Sequence, residues 1–163
     1  NVITKELFEK YKTIDDFISS SPEKIEKIVR PAGLSSAKSK DIYNCMVMLK
    51  EKFNYKVPDN LNDLLLLPGV GRKSANLIMG DVYNKPAIVT DTHCIRISNR
   101  LGLVDNETNP VKVEMALLKV VPKRESNDFC HRLVDHGRIV CVGRTKPHCD
   151  KCCLKDICPA AEF

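Results

Sequence analysis

The stretch Leu67-Pro68-Gly69-Val70-Gly71-Arg72-Lys73, followed by Ser74-Ala75-Asn76, constrains the fold more than any other part of the chain. An apolar run ends in Pro, two glycines bracket one Val, and a basic pair opens the next amphipathic segment. The pattern predicts a helix that stops at Leu67, a tight turn that uses Gly69 and Gly71, and a second helix from about Arg72. Glycine suits such a turn because it takes positive φ at no steric cost and lets another backbone come close. The exposed N–H groups of the turn and of the new helix N-terminus form an anion site, with phosphate as the expected anion. A helix–hairpin–helix is the first expectation. An ordinary loop between two helices would carry similar residues, so this stretch alone leaves the choice open.

The remaining sequence reads as helix after helix. Residues 2–12 place Ile3, Leu7, Phe8 and Tyr11 on one face. Thr13 is positioned to cap a short segment from Ile14 to Ile18, with Asp16 at its third position. Ser21-Pro22 opens the next helix, which Pro31-Ala32-Gly33 breaks. A long helix is expected from about Ser36, with Ile42, Cys45, Met46, Leu49 and Phe53 as core. Asn60 caps the helix that leads into the hairpin, and the helix beyond it should run to Tyr83, turning Ala75, Leu77, Ile78 and Val82 inward. Pro86 to Val89 is a short extended connector. Thr90-Asp91-Thr92 then caps a helix, Asn109-Pro110 opens another, and Pro122 marks entry to the last, which ends near Cys141. With no long strand pattern, the expected class is all-α.

A chain of 163 residues has room for one domain or two small ones. Lys and Arg (26) exceed Asp and Glu (21), a net +5 that fits a polyanionic partner without demanding one. No apolar run approaches the length needed to span a membrane, and no signal-peptide pattern is visible. The sequence starts at Asn1 and drops straight into a helical pattern, which is expected of a fragment of a longer protein.

The cysteines divide into two groups. Cys45, Cys94 and Cys130 are scattered through helical segments, while five others fall between Cys141 and Cys158. So tight a cluster, with no export signal, points to a metal site more than to disulfides. Cys141, Cys149, Cys152 and Cys158 have the spacing Cys-x7-Cys-x2-Cys-x5-Cys, followed by Pro159. Zinc ribbons usually show two Cys-x2-Cys knuckles or paired His, and only one knuckle is present here. Four thiolates ending in Cys-Pro lean towards an iron–sulfur cluster, with zinc second and plain cysteines third. Cys153 adjoins a ligand and is read as a bystander. Between the first two candidate ligands lie Arg144, Lys146 and His148 and no acid, so a loop pinned at both ends would present positive charge to phosphate. A solvated surface loop is the plainer alternative.

Lys73 falls in the first turn of the helix after the hairpin, where the helix dipole and Arg72 both disfavour the protonated amine. Partial burial would act in the same direction, making Lys73 a candidate amine nucleophile. A solvent-facing helix lysine is the bland alternative. Asp91 is a preferred N-cap residue, and that role is compatible with serving as acceptor and electrostatic stabiliser beside an amine.

Taken together, the hairpin from Leu67 to Asn76, Val89-Thr90-Asp91-Thr92-His93, His136-Gly137-Arg138 and the four spaced cysteines closely resemble the endonuclease III family. These are bifunctional DNA glycosylases of the helix-hairpin-helix-Gly-Pro-Asp superfamily. The resemblance spans nearly the whole chain. It implies an all-α fold: a helical barrel domain with the hairpin over residues 1–85 and a helical domain holding a [4Fe–4S] cluster over residues 86–163. Duplex DNA carrying damaged pyrimidines or abasic sites would be the partner, bound by a monomer. A prokaryotic member would be cytoplasmic and nucleoid-associated.

Site roles follow from the same resemblance. Lys73 matches the nucleophilic lysine, Asp91 the essential aspartate, and Cys141, Cys149, Cys152 and Cys158 the cluster ligands. Gly69, Val70 and Gly71, with Arg72, match the phosphate-binding hairpin, and Arg144 and Lys146 lie in the basic loop. Pro31 to Lys38 loosely resembles the turn whose Leu wedges into the gap left by a flipped base, which would make Leu34 that wedge. The seven-residue spacing after Cys141 is one longer than is common in the family. The family's usual N-terminal region, including a glutamine that probes the opposite strand, has no counterpart in the sequence. The implied function is base-excision repair of oxidised pyrimidines through a Lys Schiff base and β-elimination. A monofunctional glycosylase and a non-catalytic DNA-binding module are the alternatives.

Overall fold

Local capping signals set most of the helix boundaries in a computed structural model of the protein, which describes residues 2–161. Every regular element among the described residues is helical. None of these helices is long and apolar enough to cross a membrane. Contacts divide the chain into two compact units, with the division between Arg72 and Lys73.

The first unit contains α1 (Val2–Lys10), α2 (Ile14–Ile18), α3 (Pro22–Val29), α4 (Ser35–Phe53) and α5 (Leu61–Leu64). Thr13 and Asp16 form a reciprocal capping box at α2: Asp16 N–H donates to Thr13 Oγ1 at 3.2 Å and Thr13 N–H to Asp16 Oδ2 at 2.8 Å. Those hydrogen bonds from Thr13 hold the Asp16 carboxyl below the usual carboxylate range. Ser21 caps α3, and Pro22 occupies its first turn. The core is Leu7, Tyr11, Phe17, Ile25, Ile28 and Val29. The Tyr11 and Phe17 rings lie 4.8 Å apart. Two expectations change here. Phe8 is 59% exposed, and α4 buries only Ser39 and Leu49. The other α4 residues expected in the core are half-buried.

The second unit begins inside α6 (Arg72–Asp81) and continues through α7 (Thr92–Arg100), α8 (Pro110–Val120) and α9 (Ser126–Ile139). Its core is Ile88, Cys94, Ile97, Val104, Val113, Leu117, Cys130 and Leu133. On α6 Ala75 is buried but Leu77 is 40% exposed, and Val82, just past its end at Asp81, is 62% exposed. The buried partner on α6 is instead the polar Asn76. The last helix starts at Ser126, because Lys123–Glu125 forms a separate 3-10 turn after Pro122.

The connector between α6 and α7 explains how non-helical chain can lie in a core. Ala87, Ile88 and Thr90 are all buried, and buried backbone polar groups must find partners. Ala87 N–H donates to Ser126 Oγ and Val89 N–H to Cys130 Sγ, each at 3.2 Å. Ser126 and Cys130 are four residues apart on α9 and so share one face. Ile88 C=O accepts from Asn76 Nδ2 at 3.0 Å. Burial raises the Cys130 thiol and pushes Cys94 up to about 12, so both are core thiols rather than nucleophiles.

Candidate active site and cysteine cage

The hairpin forms, with a shorter entry than expected. α5 ends at Leu64, after which Leu66 N–H bonds Asp63 C=O and Leu67 N–H bonds Leu64 C=O. These i→i−3 bonds tighten the chain ahead of Pro68, which restricts Leu67 away from the helical region. Val70 N–H then donates to Leu67 C=O at 3.1 Å. Only Gly69 of the two glycines has positive φ (+75). A Cβ there would also sit 2.9 Å from Asp41 Cβ on α4, whereas one at Gly71 would meet nothing within 4 Å. Gly69→Ala is therefore expected to cost about 1–3 kcal/mol in urea unfolding, against less than about 0.5 kcal/mol for Gly71→Ala. Equal losses would contradict the division of roles.

Arg72 and Lys73 are the first two residues of α6, as the sequence predicts. Lys73 is exposed, so the expected partial burial is absent. Asp91 is the N-cap of α7, and its Oδ1 accepts from Cys94 N–H at 2.7 Å. Oδ2 has no hydrogen-bond partner among the described residues. The Asn76–Ile88 hydrogen bond ties α6 to the connector before α7, with Lys73 three residues before Asn76 and Asp91 three after Ile88. Asn76 is the residue here to which the sequence reading assigns no role; its place three residues after Lys73, on the same face of α6, is the signal the sequence holds.

Leu34 is 82% exposed and sits at φ +51 as the N-cap residue of α4, directly after Gly33 at φ +70. A left-handed leucine costs roughly 1–2 kcal/mol, so the turn holds an apolar side chain in water at some strain. Arg144 and Lys146 are exposed on the loop that follows α9. A backbone bond from His148 N–H to Val140 C=O, 3.0 Å, closes that loop at its base.

Cys141, Cys149, Cys152 and Cys158 line one cavity, whose walls include Ile97, Leu101, Val140 and Pro147. Cys153 is exposed and lies outside it. Arg100 Nη1 donates to Cys141 Sγ at 3.1 Å and to Val142 C=O at 2.9 Å. Leu154 N–H lies 3.4 Å from Cys152 Sγ. No three Cys, His or carboxylate side chains among the described residues converge as ligands of a single ion. Four sulfurs spread around a cavity fit a polynuclear group better than mononuclear zinc. The backbone agrees, since no residue from 141 to 161 is buried. A segment with so little burial needs cross-links to stay folded.

A sequence model of the HhH-GPD superfamily base excision DNA repair proteins matches residues 1–123. Endonuclease III of Thermotoga maritima is 39% identical over 155 residues, which are 95% of this chain and 72% of that protein. The Bacillus subtilis endonuclease III is 36% identical, over 97% of this chain and 72% of its own length. A trapped endonuclease III–DNA covalent intermediate superposes with a TM-score of 0.92 at 38% identity, covering 99% of this chain and 75% of the other. A thermostable thymine-DNA glycosylase gives 0.87 at 28% identity, covering 98% and 74%. The chain therefore belongs to the HhH-GPD superfamily of base excision DNA repair proteins and, within it, to the endonuclease III family of DNA glycosylases with AP lyase activity.

Proposed function

We propose that this chain removes oxidised pyrimidines from duplex DNA, with Lys73 as nucleophile and Asp91 as its partner. Support comes chiefly from one arrangement: the Asn76–Ile88 hydrogen bond joins the helix bearing Lys73 to the connector that leads into Asp91. The damaged nucleotide leaves the base stack, because its sugar carbon is unreachable within the duplex. Lys73 Nζ attacks C1′, and the glycosidic bond breaks with its electron pair leaving on the base, which takes up a proton. Asp91, through the oxygen not engaged by Cys94 N–H, accepts a proton from the amine and stabilises positive charge on the sugar. The nitrogen lone pair then breaks the C1′–O4′ bond, O4′ taking up the proton that Asp91 holds, and the iminium so formed makes the C2′ hydrogen acidic. Its loss expels the 3′ phosphate by β-elimination, and water then releases Lys73.

Gly69, Val70, Gly71 and Arg72 would hold backbone phosphates, Leu34 would fill the gap left by the extruded nucleotide, and Arg144 and Lys146 would bind phosphate electrostatically. Cys141, Cys149, Cys152 and Cys158 would hold a [4Fe–4S] cluster. When bound, the cluster supplies four cross-links to a segment without buried residues of its own. Residues 1–85 would serve as the barrel domain and residues 86–163 as the cluster domain, acting as a monomer in the cytoplasm of a prokaryote.

Sodium borohydride reduces such an iminium to a stable amine. Incubation with an abasic or oxidised-pyrimidine duplex should therefore yield a covalent protein–DNA species, and its absence from folded, yellow-brown protein would refute the proposal. Two substitutions separate the roles of Asp91. Asp91→Asn retains a good N-cap, so stability should stay within about 0.5 kcal/mol while single-turnover trapping slows roughly 10²–10⁴-fold. Asp91→Ala should slow trapping equally and in addition lose about 1 kcal/mol, read from thermal melts.

A further inference from the structure

The connector that leads into Asp91 takes hydrogen-bond partners from α9. Asp91 N–H donates to Val89 C=O at 3.0 Å, and Val89 N–H donates in turn to Cys130 Sγ at 3.2 Å. Two residues earlier, Ala87 N–H donates to Ser126 Oγ, whose own hydrogen goes to Lys123 C=O at 2.9 Å. Cys130 is 4% and Ser126 2% exposed. Loss of either acceptor would strand a backbone donor or shift the connector.

α9 is itself fixed against α6, the helix that bears Lys73. Gly80 comes so close to Asn127 that a Cβ on it would collide with Asn127 Oδ1. One turn further along α9, His131 Nε2 meets Asp81 Oδ1 at 2.8 Å. The first two turns of α9 thus grip both the end of α6 and the connector. The connector ends at the N-cap of α7, where Asp91 stands at φ −87 and ψ 179 with Oδ1 on Cys94 N–H. A shift of Val89 passes through the Asp91 N–H to that carboxylate.

We propose that Cys130, with Ser126 beside it on α9, is a positioning residue for the reaction: its sulfur accepts the Val89 N–H and thereby fixes where α7 presents the Asp91 carboxylate. This rests on the assignment of Asp91 to the reaction centre. Burial raises the Cys130 thiol, and the Asp91 carboxylate acts in the same direction, so the group stays protonated and serves as an acceptor, not as a nucleophile.

The test is the single-turnover rate of borohydride trapping on an oxidised-pyrimidine duplex at saturating protein. Cys130→Ala removes the acceptor and should slow trapping about 10- to 100-fold, because small displacements at a reacting centre cost rate steeply. Affinity for a duplex with a tetrahydrofuran abasic analogue should stay within about twofold, so that the loss falls on the chemical step. Cys130→Ser is the conservative variant. Its side chain has nearly the volume of Ala but keeps an acceptor, and its hydrogen can bond back to the C=O of Ser126. It should trap within about threefold of the parent. Equal losses in the Ala and Ser variants would make Cys130 a packing residue and overturn the proposal.

The second readout is coupling. In an Asp91→Asn background, Cys130→Ala should cost less than about twofold, because a residue that acts only through the Asp91 carboxylate has nothing left to position. The full single-variant loss in that background would also overturn the proposal. Thermal melts and visible absorbance control for folding and for the cluster. Should Cys130→Ala not fold, Ser126→Ala removes the acceptor of Ala87 N–H and is read in the same two ways. Failure of the parent chain to trap, or parental trapping by Asp91→Asn, would sink the proposed function and this inference together. A parental rate for Cys130→Ala in a chain that traps normally would sink this inference alone.

Discussion

Lys73→Gln should yield no borohydride-trapped species, and single-turnover strand cleavage should fall by roughly 10⁴- to 10⁶-fold. An amide nitrogen cannot form the iminium, so neither base release through covalent catalysis nor β-elimination can proceed. The substitution is clean because Lys73 is exposed in the first turn of α6. It removes no core contact, and stability should change by less than about 0.5 kcal/mol. Affinity for an abasic-analogue duplex should change only a few-fold, so the loss falls on the chemical step. The exposure also says where dehydration of the amine must come from. Lys73 is exposed, so under the proposed mechanism the bound duplex would be what excludes water from it. Trapping at the parental rate by Lys73→Gln would reassign the nucleophile.

Cys149→Ser or Cys158→Ser should abolish the visible absorbance and release the segment from residue 141 onward. The physical reason is the burial pattern. None of residues 141–161 is buried, and its one helical piece among the described residues is the short 3-10 turn Cys149–Lys151. Hydrophobic burial therefore cannot offset about 1–2 kcal/mol of backbone entropy per ordered residue. Metal–thiolate bonds can, since structural metal sites contribute on the order of 10 kcal/mol. Limited trypsinolysis should cut at Arg144, Lys151 or Lys155 in the Ser variants while the two helical cores stay intact. Cys153→Ser should behave as the parent, because Cys153 is exposed and outside the cavity. Protection of the segment in a colourless Cys149→Ser protein would show that something other than the cluster holds it.

The elements legible from sequence were those set by short-range chemistry. Thr13, Ser21, Asn60, Asp91 and Asn109 all cap the helices expected of them. Each does so through a hydrogen bond to an N–H two or three residues on, an interaction that local sequence contains in full. Burial was less legible. Phe8, Leu77 and Met115 have helical spacing and apolar side chains, yet they are 59%, 40% and 50% exposed. Periodicity identifies a face but cannot say how much of it a neighbouring element covers. Buried polar residues were missed for the converse reason. Asn76 and Ser126 satisfy backbone groups of the connector before Asp91 from 12 and 39 residues away.

The hairpin shows the same division within seven residues. By itself, the sequence from Leu67 to Lys73 determined that a turn occurs, that a helix follows, and that Lys73 stands in its first turn, because Pro and Gly restrict or free the backbone wherever they occur. Only the tertiary structure decided that Gly69, and not Gly71, bears the constraint, since it alone takes positive φ and faces Asp41. The same holds for the join between the helix of Lys73 and the connector that leads into Asp91, made by a side chain and a carbonyl distant in sequence. The four-cysteine cavity and the grip of α9 on the connector likewise depend on through-space distances that residue order does not contain.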